Sequence, residues 1–338
     1  MKLSVIVPAR NEQDCVAACL RSLAAQSEDG WRLGSEWEIL LVDDHSTDQT
    51  WAIAQSVPGV TVTEAPKLER GWTGKNSAVW AGAQQARGEW LLFTDADTVH
   101  EPGSISRAVI EAERHNVALL SYSPRQIVRG LWQRALMPLV FSELAVTYPP
   151  AKVSDPEKQL AAANGQFLLI RRDVYFANGG HEAVKNSVLE DVALAQRVKR
   201  LKQRLRFRYA PDAVSTRMYR SLGAMVEGWT KNLALLFGNP LAIAGWRILD
   251  FALLFGLPLL LWWAYEASTR RILWIIVLLL WLRTLWRFYR RVGKSNFPFK
   301  DCLLSPLALP LFAALLYRSW FQNTILKRVT WKGREYGS

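Results

Sequence analysis

Short runs of branched apolar residues alternate with longer amphipathic segments along the first hundred residues of the chain. Four such runs predict buried strands, at 3–7, 38–42, 60–64 and 89–94. Helices are predicted between them, ending near Gln26, Ser56 and Ala86. Because strand and helix alternate with short connections, we predict a Rossmann-like α/β fold with a mostly parallel sheet, whose functional site lies at the carboxyl ends of the strands.

Long apolar runs replace this alternation in the last third of the chain. They span 251–265, 272–286 and 302–317, and the third contains Pro306 and Pro310. Each is shorter than the about 20 residues of a simple membrane span. Arg247 precedes the first run and Arg283 follows the uncharged part of the second, 272–282; both are predicted to extend their charged ends to the membrane surface.

These runs predict a second domain of a different kind. We expect a globular domain over 1–235 and an α-helical membrane-anchoring region over 236–338. The first two runs would form a hairpin that crosses the membrane twice, and the third would either span the membrane or re-enter it. Buried core helices of a soluble protein are the alternative.

Charge and tryptophan are distributed in a way that favours the anchor. The chain has a formal net charge of +12 and 16 Trp. Most of the positive excess and half of the tryptophans lie beyond residue 235, beside the apolar runs. This pattern is typical of helices with interfacial anchors and a cytosolic basic loop, whereas a nucleic-acid binder carries its basic residues on a polar domain. We therefore expect a lipid bilayer as a partner and no nucleic acid.

Carboxylates follow two of the predicted strands. Asp43 and Asp44 come directly after EILLV, and Asp95-Ala96-Asp97 follows EWLLFT. In a D-x-D triplet at a strand end the two outer side chains point the same way. Their oxygens suit Mg²⁺ or Mn²⁺ held jointly with a substrate diphosphate, and carboxylates do not distinguish the two ions. By itself the triplet is also compatible with capping of the next helix.

The order of several motifs is more specific than any one of them. VIVPARNE, VDDHSTDQT, GWTGKNSAVWAGAQQARGEWLLFTDADT, NGQFLLIRRDVY and SVLEDVALAQRVK follow one another over residues 3–235. In this order they resemble the family-2 glycosyltransferases of GT-A fold. The resemblance implies transfer of a sugar from a nucleotide-sugar, usually a UDP-sugar, with inversion at the anomeric carbon.

The resemblance also implies a donor site. The residues that it places around the nucleotide are Pro8, Ala9, Arg10 and Glu12. Asp43 is implied to lie by the uracil and ribose, and Lys75 near the phosphates. Asp95 and Asp97 take the ribose and metal–diphosphate roles, with Asp97 as the main metal ligand.

On the acceptor side, the resemblance assigns the general base to Asp191. Glu190 is the second candidate, with orientation of Asp191 or binding of the acceptor as its other possible roles. A carboxylate at the start of a helix is also a plain capping group. His181 is either a residue of the acceptor side or a structural turn residue. His45, His100 and His115 lack the spacing of zinc ligands and are predicted to be surface or loop residues.

One segment departs from the family pattern. Many membrane members carry Q/R-x-x-R-W before the anchor, whereas this chain has Arg217-Met218-Tyr219-Arg220 followed by Ser221, and Trp229 comes later. Arg217, Arg220 and Trp229 are therefore expected near the acceptor or the departing diphosphate. An Arg that anchors an interfacial helix on lipid phosphate is the alternative for Arg220.

RMYRS…EGWTKN, with GWTGK before the D-x-D, resembles the bacterial lipid glycosyltransferases associated with hopanoids and carotenoids. This similarity implies a multi-pass enzyme of the bacterial inner membrane with a cytoplasmic catalytic domain. It would move one sugar, glucose or a related hexose, from a UDP-sugar to a carotenoid, hopanoid or glycerolipid. A processive polysaccharide synthase and a non-catalytic scaffold with a transferase-like domain are the alternatives. The apolar stretch 131–150 is either a headgroup-layer element that delivers the lipid or a core helix.

Overall fold

A computed structural model describes residues 1–28, 30–265, 271–331 and 334–337. Its strands are β1 (Leu3–Ala9), β2 (Trp37–Asp43), β3 (Val60–Glu64), β4 (Trp90–Phe93), β5 (Thr98–His100), β6 (Leu119–Ser123), β7 (Arg125–Gln126), β8 (Leu168–Arg171), β9 (Leu205–Tyr209), β10 (Val214–Thr216), β11 (Arg328–Trp331) and β12 (Arg334–Gly337). Its α-helices are α1 (Val16–Ala24), α2 (Thr50–Gln55), α3 (Gly74–Gln85), α4 (Ser104–Arg114), α5 (Gly130–Thr147), α6 (Pro150–Ser154), α7 (Arg172–Ala177), α8 (Glu190–Arg200), α9 (Leu222–Leu236), α10 (Pro240–Tyr265), α11 (Arg271–Val292), α12 (Phe299–Cys302) and α13 (Leu309–Trp320).

The contacts within the chain divide it into two units. Unit 1 consists of Met1–Ile127 and Tyr148–Met218, and unit 2 of Val128–Thr147 and Tyr219–Ser338. Composition alone suggested one boundary, at residue 235, because it cannot show that the earlier helix α5 packs with the later helices. The functional division at residue 235 stays a prediction.

Unit 1 is built on a seven-stranded sheet in the order β3-β2-β1-β4-β8-β6-β9. Only β8 runs antiparallel to its neighbours, β4 and β6. The predicted GT-A-type, mostly parallel α/β architecture is therefore confirmed. A smaller sheet in the same unit has the order β5-β10-β7.

Helices cover both faces of the large sheet, which explains why its strands read as continuous apolar runs. Alternation along β1 directs Val5 and Val7 into the core beneath α1 and α4. Ile6 faces the opposite core, beneath α3, α7 and α8. Burial on both sides fixes the strand register, so the loops at the carboxyl ends meet at one edge.

Unit 2 is helical apart from the β11–β12 hairpin. Helix α10 packs against α11 and α13, and α13 packs against α9. Helix α5 is buried from Ala135 to Glu143, so most of the stretch 131–150 is a core helix of this unit. Its first turn exposes the large apolar side chains of Leu131 and Trp132, and Val146 is exposed near its end.

Three helical segments among the described residues are long and apolar enough to cross a membrane: Pro240–Trp263, Arg271–Ser295 and Phe299–Leu326. The apolar windows of the first two are only 22% and 17% buried, whereas half of the third is buried. The first two therefore present apolar surface outward, consistent with the predicted membrane association.

Candidate active site

The loops after β1 and β2 form one hydrogen-bonded structure at the edge of the sheet. The Asn11 side chain accepts from the backbone N–H of Thr47 at 2.8 Å, and the Glu12 N–H donates to Thr50 Oγ1 at 2.7 Å. Arg10 Nη1 donates to the Asp44 carbonyl at 2.7 Å. The predicted nucleotide-pocket residues 8–12 therefore lie beside the loop that contains Asp43.

Asp43 is 3% exposed and binds its own loop. Its carboxylate accepts from the N–H and the hydroxyl of Ser46, at 2.9 and 2.5 Å. These bonds fix the loop backbone, while contact of Asp43 with uracil or ribose stays a prediction.

Asp95 and Asp97 lie in a tight turn after β4. The turn is closed by the N–H of Thr98, which donates to the Asp95 carbonyl at 3.2 Å. Asp95 Oδ1 lies 2.7 Å from Lys75 Nζ. Both aspartates are half-buried, so hard oxygen donors lie at the pocket edge that the D-x-D pattern predicted.

Glu190 and Asp191 begin helix α8 and lie next to this turn. Lys75 Nζ lies 2.8 Å from Glu190 Oε1, so one ammonium bridges Asp95 and Glu190. We call Lys75, Asp95, Glu190 and Asp191 the site cluster. Residues 75, 95 and 190 are far apart in sequence, and the fold brings them within direct contact of one another.

The backbone of a neighbouring loop holds Asp191. Its Oδ2 accepts from the Gly165 N–H at 2.8 Å, and its Oδ1 from the Val192 N–H at 2.7 Å. A Cβ on residue 165 would lie 3.1 Å from Lys75 Nζ and 3.4 Å from Glu190 Oε1. A side chain at this position would therefore crowd the site cluster, which accounts for glycine there.

Burial and like charge give the two acids of this pair different protonation behaviour. Burial raises the pKa of the Asp191 carboxyl to about 7, and neighbouring Glu190 adds to the rise. Burial also acts to raise the pKa of Glu190, but the Lys75 ammonium outweighs it and holds that pKa below its ordinary value. Burial acts to lower the pKa of Lys75, yet its two carboxylate partners raise it well above the ordinary value. Asp191 is thus the acid of the cluster suited to exchange a proton near neutral pH.

His181 lines the same pocket. Its backbone N–H donates to the Tyr175 hydroxyl oxygen at 3.1 Å, and its Nδ1 lies 2.8 Å from that oxygen. Burial lowers the pKa of the imidazole to about 4, so the ring is neutral at physiological pH. The pocket is lined by Pro8, Lys75, Asp95, Gly165, His181, Glu190 and Asp191, among others.

Two contributors to this site were missed by sequence reasoning. Gly165 lies in the motif NGQFLLIRRDVY, where nothing in the sequence marks it as a site residue. Asn76 donates its amide to the carbonyls of Val184, Lys185 and Ser187, at 3.0, 3.1 and 3.0 Å. Asn76 thereby ties the loop before Glu190 to helix α3, and its place next to Lys75 in TGKNSA was the only signal in the sequence.

The residues of the R-x-x-R segment are divided between the two units, with Arg217 in unit 1 and Arg220 and Trp229 in unit 2. Arg217 follows β10, and because Thr216 pairs with Thr98 in the antiparallel register, the next position lies across from Asp97. Arg220 is exposed. Trp229 is 2% exposed and packs against Tyr219 and Phe141 in the core of unit 2. Roles of these three residues toward acceptor or diphosphate stay predictions.

One prediction about the histidines was wrong. His45 is exposed, and His115 is exposed at the end of α4, as expected. His100 is 3% exposed and lies in β5, beneath the D-A-D turn. Side chains alternate between the two faces along β5, so His100 points inward. A strand of three residues is too short for this alternation to be recognised in the sequence.

Within the described residues, no group of three or more His, Cys, Asp or Glu side chains could hold a metal ion alone. The chemistry of Asp95 and Asp97 nevertheless fits Mg²⁺ or Mn²⁺, because these ions commonly bind through one or two carboxylates together with substrate phosphates and water. The protein thus offers a partial ligand set that a diphosphate would complete.

A comparison of the sequence with known protein families gives the same result as the fold and the motifs. Residues 4–176 match the profile of Glycosyl transferase family 2, which is more than half of the chain. The chain belongs to this family and is a glycosyltransferase.

Individual relatives extend the similarity over almost the whole chain. The 4,4'-diaponeurosporenoate glycosyltransferase of Staphylococcus aureus is 25% identical over 343 residues, covering 99% of this chain and 88% of the relative. Among solved structures, mannosyltransferase PcManGT from Pyrobaculum calidifontis, in complex with GDP-Man and Mn²⁺, matches with a TM-score of 0.55 and 18% identity, covering 96% of this chain and 88% of that one. TarS 1–349 of S. aureus in complex with UDP-GlcNAc gives a TM-score of 0.47 and 17% identity, covering 100% and 97%.

Proposed function

We propose that this protein is a membrane-bound, inverting glycosyltransferase that moves one hexose from a UDP-sugar to an apolar lipid acceptor of carotenoid type. The observation that carries the proposal is the site cluster: Lys75 joins Asp95 of the D-A-D turn to Glu190, beside Asp191. The turn that we assign to the donor and the candidate base thus both contribute side chains to one pocket.

The charged side chains at the D-A-D turn support the assignment of the donor site. Asp95 and Asp97 would hold Mg²⁺ or Mn²⁺ together with the diphosphate, and such an ion neutralises the charge of the leaving UDP. Lys75 lies on the same side, where its ammonium can meet a phosphate oxygen directly. A uridine diphosphate donor is what the sequence resemblance implies for this pocket.

The apolar surface of unit 2 and the alignment with a relative support the assignment of a lipid acceptor. The relative named for 4,4'-diaponeurosporenoate aligns with 99% of this chain, apolar helices included. The exposed apolar surface of α10 and α11 suits a protein that meets its acceptor in a membrane. We place it in the bacterial inner membrane with the catalytic unit in the cytoplasm.

In the proposed reaction, an acceptor oxygen attacks the anomeric carbon opposite the diphosphate. The bond between that carbon and the diphosphate oxygen breaks, and UDP leaves with the electron pair. A hydroxyl acceptor gives its proton to Asp191, whose pKa of about 7 suits a general base at neutral pH. A carboxylate acceptor has no proton to give, and Asp191 would then serve only to orient it.

The test uses purified full-length protein in detergent, a panel of UDP-sugars, and lipid acceptors with either a hydroxyl or a carboxyl group. We expect a lipid product that gains one hexose by mass spectrometry, and loss of this product in Asp97→Ala. Growth of a polymer would instead identify a processive synthase. A protein that neither binds UDP nor consumes any UDP-sugar would be a scaffold.

A further inference from the structure

A buried polar layer lies directly beneath the D-A-D turn, and its side chains have no role in the proposed sugar transfer. Thr94, Thr98 and His100 are 1%, 0% and 3% exposed. The large majority of buried hydroxyl and imidazole groups in proteins are hydrogen-bonded. The bonds of these three side chains therefore show what the layer holds in place.

Both threonine hydroxyls donate to backbone carbonyls. Thr98 Oγ1 donates to the Asp95 carbonyl at 2.8 Å, in addition to the backbone bond that closes the turn. Thr94 Oγ1 donates to the Gln166 carbonyl at 2.8 Å. Each hydroxyl has a single proton, so both oxygens are left as acceptors.

His100 supplies the missing donor. Its Nε2 lies 3.1 Å from Thr94 Oγ1 and 3.1 Å from Thr98 Oγ1. The two hydroxyl oxygens also lie 3.0 Å from each other. Because both hydroxyl protons are directed to carbonyls, we assign the hydrogen to Nε2, which shares it between the two oxygens. Burial lowers the pKa of this imidazole to about 3, so the ring is neutral.

The layer is also connected to the rest of the pocket. Gln166, whose carbonyl receives the Thr94 hydroxyl, follows Gly165, and Gly165 holds Asp191. His100 lies in β5, which pairs with β10, the strand that ends before Arg217. One set of bonds thus relates the turn to the loop that supports the candidate base.

We propose that His100 is a positioning residue of the donor site: its Nε2–H fixes Thr94 and Thr98, and through them the direction in which Asp95 and Asp97 present their carboxylates. The inference rests on the proposed donor chemistry and goes beyond it, since His100 itself touches no reactant. Metal and diphosphate ligands must be held within about 0.5 Å of the productive geometry. Loss of the shared donor is therefore expected to weaken metal-dependent UDP binding.

The experiment compares His100→Leu, which removes the donor, with His100→Gln, whose amide can donate from a similar position. UDP affinity of the full-length protein in detergent is measured by calorimetry with and without Mn²⁺, alongside thermal unfolding. We expect His100→Leu to weaken Mn²⁺-dependent UDP binding by about tenfold, as for loss of one to two buried hydrogen bonds. His100→Gln should retain affinity within about threefold of wild type.

A second pair of variants distinguishes loss of the hydrogen bonds from misfolding of the protein. Thr98→Val removes the hydroxyl at nearly constant volume, and Thr98→Ser keeps it. We expect Thr98→Val, but not Thr98→Ser, to behave like His100→Leu, and the double variant His100→Leu/Thr98→Val to lose less than the two effects combined, because both act on one network.

Tyr122→Phe is the matched control, because it removes a part-buried hydrogen bond of unit 1, to Glu111 at 2.6 Å, that involves none of the three side chains of the layer. If His100→Leu and Tyr122→Phe lower the unfolding temperature alike and both leave UDP affinity unchanged, His100 is merely structural and the inference is wrong. If wild type binds UDP without any dependence on Mn²⁺, the metal part of the proposed function fails, and this inference fails with it.

Discussion

Each unit contains a cluster of charged side chains, but the two clusters are composed differently. The site cluster of unit 1 has one cation and three carboxylates, Lys75 against Asp95, Glu190 and Asp191. The corresponding group in unit 2, which we call the arginine cluster, has three cations and two carboxylates. Its members are Glu143, Arg247, Asp250, Arg287 and Arg291.

The carboxylates of the arginine cluster are fully paired with guanidinium groups. Glu143 accepts from Arg247 at 3.0 Å and from Arg291 through both oxygens, and Asp250 binds Arg247 and Arg287. These bonds connect α5, α10 and α11. Such saturated networks fix the register of helices, because each charge has a partner only in one arrangement.

The site cluster lacks this balance. Among the described residues, Asp191 receives hydrogen bonds from backbone N–H groups, and Lys75 is shared by two other carboxylates. An excess of buried carboxylate leaves one group with a pKa near neutrality, which a fully paired cluster does not provide. We infer that unit 1 uses buried charge for chemistry and unit 2 uses it for structure.

The largest expected effect concerns Asp191. Asp191→Asn keeps an oxygen to accept the Gly165 N–H but removes the base, so transfer to a hydroxyl acceptor should fall about 10²–10⁴-fold. UDP affinity and unfolding temperature should stay near wild type. Glu182→Gln, an exposed acid of the preceding loop, is the control. Retained transfer would exclude Asp191 as the base, and equal loss of UDP binding would assign it to the donor site.

The second effect tests the arginine cluster. Glu143→Ala leaves the 8%-exposed Arg247 side chain without one of its carboxylates, and should lower the free energy of unfolding in detergent by about 3–5 kcal/mol. Arg287→Gln changes a side chain that is 55% exposed and should cost at most about 1 kcal/mol. Similar losses for both variants would contradict a buried, saturated network.

A third test asks what surrounds the helices that carry the arginine cluster. Leu259 on α10 is 66% exposed. If lipid covers it, Leu259→Asp should cost about 2.5–3.5 kcal/mol of membrane insertion and reduce the membrane-bound fraction in cells. Ile110→Asp, at a 56% exposed position of unit 1, should leave that fraction unchanged. Equal behaviour of the two variants would count against a membrane-embedded α10.

The smallest effect is a pH dependence. Asp191 acts as base only when deprotonated, so with a pKa of about 7 the rate should fall below neutral pH, approaching tenfold per pH unit. Because Glu190 contributes to the raised pKa, Glu190→Gln should move the midpoint of this limb to lower pH. A rate profile that is flat between pH 5 and 8 with a hydroxyl acceptor would remove Asp191 from the proton transfer.

Local pattern was enough to predict the first four strands of unit 1 and the helices between them. Branched apolar runs bounded by polar turns gave the strands, and β3 agrees at both ends with the predicted 60–64. The D-A-D turn and the start of α8 were also found, because a motif at a strand end or a helix start is encoded by neighbouring residues. The apolar runs of the last third likewise marked the helices that qualify as membrane spans.

Sequence did not determine which distant side chains meet, since that depends on strand register and helix packing rather than on local pattern. Arg247 was predicted to reach the membrane surface, but it is buried against Glu143, whose helix α5 comes a hundred residues earlier. His100 was predicted to be a surface or loop residue, but it lies buried in β5, whose pairing with β10 places it under the D-A-D turn. The bridge from Asp95 through Lys75 to Glu190 likewise required the folded chain. Residue types were therefore determined by the sequence, and the charge balance that gives each cluster its role was decided by the tertiary structure.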